Sequence, residues 1–132
     1  LSGPVQRGCT VSRFKLPIPT DVTVAGRIYE VNVETREWAE EHNLLGQCNS
    51  ATQVISLSPT HSTHEQMLDT LLHEILHAIW YQYRVYHTMT IDQDVREEAL
   101  VDTLGSALTQ VFLENPTLLK TICAVQREVA KK

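Results

Sequence analysis

Two histidines and a glutamate stand together in the stretch Leu71-Leu72-His73-Glu74-Ile75-Leu76-His77-Ala78. On a helix, residues four apart project from one face a turn apart, so the imidazoles of His73 and His77 can reach one metal ion. Zinc takes such nitrogen ligands at about 2.0–2.1 Å, and a helix holds them at that spacing without further ordering. Glu74 is offset by one residue, which sets it beside the ion rather than on it. There it can act as the general base that takes a proton from an activated water. Leu71, Leu72, Ile75, Leu76 and Ile79 would bury the rest of the helix. Burying His-Glu-His in that apolar setting without a partner is costly, which favours a metal site over a chance surface cluster.

A catalytic zinc needs three protein ligands and one position open to water. Beyond His77 the candidates are His87, Asp92, Asp94, Glu97, Glu98 and Asp102. The stretch from Arg96 to Asp102 reads as part of a second helix able to fold back on the first. Glu98 and Asp102 are four apart and share a face, whereas Glu97 points about 100° away. Neither carboxylate suits a face otherwise made of Ala99, Leu100 and Leu104 unless it has a partner. Glu98 as third ligand, with Asp102 accepting the free N–H of a ligand histidine, gives each one. Glu97 is explained by the preference for acidic residues near a helix N-terminus. His87, ten residues after His77, is the rival ligand or a hydrogen-bond donor at the cleft, although most loop histidines are simply exposed. His42, His61 and His64 fall outside any ligand spacing and read as surface residues.

H-E-x-x-H followed about twenty residues later by E-x-x-x-D on a second helix resembles the gluzincin metallopeptidases, the thermolysin-like class. That resemblance implies His73, His77 and Glu98 as zinc ligands, Glu74 as catalytic base and Asp102 as support behind the ligands. The small size and the order hairpin, short helix, hairpin, signature helix, ligand helix look like the compact zincins of phages and prophages. Those are similar to the domain of repressor-cleaving metallopeptidases. The match covers His73 to Asp102, and residues 20–60 match in layout only. A C-terminal domain carrying the histidine that larger gluzincins use on the oxyanion is not recognisable in these residues, so that role is unassigned. The stretch Leu72 to Ala78 is also similar to SprT-like proteases, which act on DNA-linked proteins and use a later third histidine. Here the Gly-His-x-x-x-Phe-type segment and zinc ribbon of that group are missing. The third histidine that metzincins carry soon after the motif is absent as well.

The elements that must position these residues are legible along the chain. Residues 1–19, with Pro4, Pro17 and Pro19, read as an extended lead-in, and residues 1–4 as a remnant of processing or expression. Residues 21–24 and 27–34 alternate apolar and polar and form a hairpin around Ala25-Gly26. Thr35 caps a short helix over residues 36–42, ended by residues 43–46. Residues 47–49 and 53–58 make a second hairpin, stopped by Pro59. Ser62-Thr63-His64-Glu65 has the form of a capping box, so the signature helix starts at Thr63 and runs to about Arg84. A linker over residues 85–90 leads to Thr90-Ile91-Asp92-Gln93, a second capping box opening a helix to about Leu113. Its inner face is Val95, Ala99, Leu104, Ala107, Leu108, Val111 and Phe112. Pro116 at a first helical position opens the last helix, which places Leu118, Leu119, Ile122, Val125 and Val129 at helical spacing. The expected fold is α+β and zincin-like. A small, mostly antiparallel sheet packs on the signature helix and two further main helices, as one domain over residues 20–132, with zinc between helices.

Composition bounds the function. The 132 residues are 42% hydrophobic and 20% charged, which is globular. A net charge of −5 argues against a broad nucleic-acid surface, and the basic residues Arg7, Arg13, Lys15, Arg127, Lys131 and Lys132 read as solvated tails. Cys9, Cys48 and Cys123 are an odd count without a C-x-x-C pair, which fits a reducing, cytoplasmic setting. Cys48 and Cys123 sit among apolar neighbours and read as buried. No apolar run reaches membrane-spanning length. The leading expectation is a zinc peptidase acting on a protein or peptide. Its substrate lies extended along a sheet edge resembled by residues 53–58, and Tyr81, Tyr83, Tyr86 and His87 are candidates for the oxyanion. Trp80 and the tyrosines otherwise read as packing. The competing expectation is a binding module that keeps the metal and processes little. An intact Glu74 favours chemistry, because a structural zinc site gains nothing from a base and closes its fourth position with Cys or His. A DNA-associated protease is disfavoured by the acidic balance.

Overall fold

A computed structural model describes residues 10–11 and 17–131. Arg7, Cys9, Arg13, Lys15, Lys132 and residues 1–4 of the lead-in lie outside the described residues, as does the side chain of Asp94. Within the lead-in, strands β1 (Thr10–Val11) and β2 (Pro17–Ile18) pair antiparallel.

The first hairpin joins β3 (Asp21–Val24) to β4 (Arg27–Val33). Ala25 and Gly26 both take positive φ, 52° and 75°. That pair of left-handed conformations matches the twist of the flanking strands in a two-residue turn. Alternation buries Val22, Val24, Tyr29 and Val31 and leaves Ile28 and Glu30 outside. Helix α1 (Arg36–His42) begins where Thr35 Oγ1 accepts the Trp38 N–H at 3.1 Å and ends at Asn43 in the left-handed region.

Strands β5 (Gly46–Asn49) and β6 (Val54–Leu57) form the second hairpin, and the four-stranded sheet has the order β3-β4-β6-β5. Two of its three pairings are antiparallel, and β6 lies parallel to β4 with Val31 opposite Ile55. β6 is therefore central, with Ile55, Ser56 and Leu57 all buried. The sheet edge over residues 53–58 expected from the sequence is corrected to β5. β6 finds a second neighbour in β4, a strand more than twenty residues distant in sequence.

Helix α2 (His64–Gln82) lies across β3, β6 and β5. Its box sits one residue later than the sequence suggests. Thr63 Oγ1 accepts the Gln66 N–H at 3.1 Å while Gln66 Oε1 accepts the Ser62 N–H at 2.9 Å. Residues 85–90, expected as a linker, form a 3-10 helix before α3 (Gln93–Glu114). The N-cap of α3 falls at Asp92, without a side-chain bond, rather than at the expected Thr90. Helix α4 (Pro116–Ala130) closes the core with Leu118 and Val125. On α3, Ala107 and Val111 reach that core, but Val95 is 58% exposed, contrary to its expected inward place. The buried residues of α3 lie in its C-terminal half, whereas Glu98 and Asp102, nearer its start, are exposed.

The two sheet edges are treated differently. Buried Asn115, between α3 and α4, accepts the Thr23 N–H at 2.8 Å and donates to Thr23 O at 2.9 Å and Val111 O at 2.7 Å. Its amide occupies the outer side of β3 as a further strand would. No strand among the described residues pairs with the outer side of β5. Among the described residues, no helix is long and apolar enough to cross a membrane.

Candidate metal centre

The site is built on the solvent-facing border of α2. Met67, Leu71, Ile75, Ala78 and Ile79 bury one stripe of this helix against the sheet, which leaves His73 and His77 exposed on the neighbouring stripe. Their Nε2 atoms are 3.2 Å apart, with the rings nearly edge to face. An ion about 2.05 Å from both nitrogens would see an N–metal–N angle of roughly 100°, close to tetrahedral. Glu74 adds a carboxylate, and one ligand atom from each of the three lies within 4.8 Å of the others. His73, Glu74 and His77 can thus hold a metal ion.

Glu74 differs from the histidines in being buried, with 6% exposure. Burial pushes its carboxyl up from the ordinary value, and the charges of His73 and His77 pull it part of the way back. The carboxylate is wedged against β5. A Cβ on Gly46 would stand 3.0 Å from Glu74 Oε2 and 2.6 Å from Thr70 Cγ2. Glycine is required there so that the strand can approach the helix. Gly46→Ala should therefore force β5 away from α2, costing about 1–3 kcal/mol. Urea denaturation checks this, with a lower midpoint and unchanged slope expected.

Between α2 and β5 lies a cleft of about 610 Å³. The strand and turn from Gly46 to Ala51 form one wall, and His73, Glu74, His77, Trp80 and Tyr81 form the other. Two internal networks set its width. At the Glu74 end, His61 is buried and hydrogen bonds through Nδ1 to Ser58 O and through Nε2 to Thr70 Oγ1, both at 2.8 Å. At the far end Gln82 Nε2 donates to Tyr29 Oη at 2.8 Å, and Tyr29 Oη donates to Ser50 Oγ at 3.0 Å. The reading of His61 as a surface residue is corrected, since the chain after β6 folds it under α2. Its only sequence signal was its place in a short polar turn ahead of the helix cap.

Other expected residues fall in different places. Glu98 and Asp102 are exposed on α3 and outside the His73–Glu74–His77 group, and Glu97 is exposed as well. His87 is exposed on the 3-10 helix with its ring 4.5 Å from that of Tyr86. Of the four oxyanion candidates, Tyr81 is the one among the cleft-lining residues. Tyr83 is half-buried, and burial first, then the charge of Glu114, pushes its phenol up. Cys123 is exposed rather than buried, and Cys48 is half-buried in the cleft wall. Burial pushes the Cys48 thiol up, the Ser50 hydroxyl opposes this and the Glu74 charge adds to it, so it stays a thiol at neutral pH. Gly46 and Asn115 were missed as positioning residues, because neither a close approach nor an edge cap has a local pattern. Compared with family models, curated proteins and solved structures, the chain matches none of them.

Proposed function

We propose that this protein is a zinc-dependent peptidase. The observation that carries the reading is Glu74, buried between two metal-competent histidines and a sheet edge that has no partner strand among the described residues. The resemblance of His73 to Asp102 to the gluzincins supports it, including the likeness to the compact zincins of phages. Zinc, when bound, lowers the pKa of a coordinated water toward about 7 and polarises a carbonyl.

The chain's own residues supply the rest. An extended peptide adds to β5 backbone to backbone, which holds its carbonyl over the histidine pair. Glu74 accepts the proton of the attacking water and returns it to the leaving amine. Its elevated affinity for the proton suits a group that must carry one between two steps. Glu98 is the proposed third ligand, with Asp102 accepting the free N–H of a ligand histidine. Both are exposed here, so their recruitment requires the first turns of α3 to move toward His73 and His77. The three cysteines without a pairing framework fit a cytoplasmic setting.

A denatured protein substrate tests the reading. Cleavage should vanish after chelation and return with one equivalent of zinc. Cleavage that persists in the chelated protein would rule out the metal-dependent mechanism.

A further inference from the structure

We infer that Trp80, with Tyr81 beside it, forms a subsite for a large apolar side chain about two residues before the cleaved bond. This rests on the peptidase reading above and names the class of peptide that the site accepts.

Trp80 and Tyr81 follow His77 by three and four residues, so they continue the face of α2 that carries the histidines. Trp80 is 38% exposed and Tyr81 53%, both within the cleft wall. Across from them the wall is Asn49, Ser50 and Ala51, so this end of the cleft carries no acidic or basic side chain among its lining residues. Two aromatic faces without a charge nearby favour an apolar occupant over a charged one.

Direction follows from the two ends of β5. Gly46 abuts Thr70 and Glu74, whereas Ser50 is linked through Tyr29 to Gln82. The strand thus runs the same way along the cleft as α2. A peptide that adds antiparallel to β5 enters with its N-terminal side at Ser50, Trp80 and Tyr81. From the middle of the Glu74–His77 segment to Trp80 and Tyr81 is five residues of helix, roughly 7.5 Å. That distance is about two residues of extended chain. The Gln82–Tyr29–Ser50 relay fixes both walls, so the subsite exists before the peptide arrives.

Two measurements test this. The first is cleavage of a proteome-derived peptide library by the zinc-loaded wild type and Trp80→Ala, with the new termini sequenced. Leu, Met, Phe and Tyr should be enriched at the second position before the cut. Trp80→Ala should reduce the preference for them over Ser by about ten- to a hundredfold, and Trp80→Phe should restore most of it. The second uses Glu74→Gln in a Trp38→Phe background, which leaves Trp80 as the sole tryptophan. Blocked hexapeptides carrying Leu or Phe should shift its emission at concentrations about tenfold or more below their Ser counterparts. Uniform residue usage, enrichment after the cut, or a preference unchanged in Trp80→Ala would overturn the subsite. If the wild type cleaves nothing while apolar peptides still move Trp80 emission, the peptidase reading fails and Trp80 stands as part of an apolar peptide-binding site, not a cleavage subsite. Neither cleavage nor binding overturns both.

Discussion

Glu74→Gln should lower peptide turnover by about 10²–10⁴-fold, the range that a positioned general base contributes, while metal content stays unchanged. Glutamine has nearly the same shape, so it fits the same close approach to Gly46 on β5. It cannot accept the proton, and only the chemical step is removed. Stability should not fall, because the amide is easier to bury than a carboxylate held at 6% exposure. The comparison requires kcat and zinc per chain on the same preparation. Full activity in Glu74→Gln would assign the base elsewhere. Loss of zinc together with activity would make Glu74 a ligand, a role its place in the three-residue group permits.

Zinc per chain in Glu98→Ala and His87→Ala should separate the candidates for the third ligand. One zinc is expected in the wild type and in His87→Ala. Glu98→Ala should weaken binding by more than the 10–100-fold typical of a partner behind the ligands, and Asp102→Ala by about that amount. Both carboxylates are exposed, and α3 is packed through Ala107 and Val111 in its C-terminal half. Binding therefore has to draw in the helix start and should protect its amides from hydrogen exchange. Zinc lost with His87→Ala instead would place the third ligand on the 3-10 helix. A wild type that takes up no zinc would leave His73 and His77 as a surface pair, and the proposed chemistry would fail with them.

Whatever depends on near neighbours in the chain was legible. The i, i+4 pair of His73 and His77 specifies two nitrogens on one helical face, and the structure sets them 3.2 Å apart. Thr35, Asn43, Pro116 and the Ala25-Gly26 turn act within four residues of themselves, and each appears where its local chemistry puts it. Even the shifted box at Thr63 and Gln66 is a local competition between two acceptable caps one residue apart.

Tertiary packing decided the rest. The segment 53–58 carries the same residues whether it is an edge or a centre, and only its parallel pairing with β4 chose the centre. That pairing left β5 at the edge of the sheet among the described residues and turned Gly46 into the point where strand and helix touch. His61 is polar and lies outside the metal spacing, yet Ser58 and Thr70 satisfy it beneath α2. Asn115 looks like an ordinary helix boundary until Thr23, 92 residues away, takes both sides of its amide. Val95 and Ala107 lie on the same predicted face of α3, but only the second finds a core to enter. Helical periodicity states which residues share a face and leaves open what that face meets. The type of the metal-competent group was therefore written in the sequence. Its cleft, its free edge and its orientation came from contacts between residues far apart in the chain.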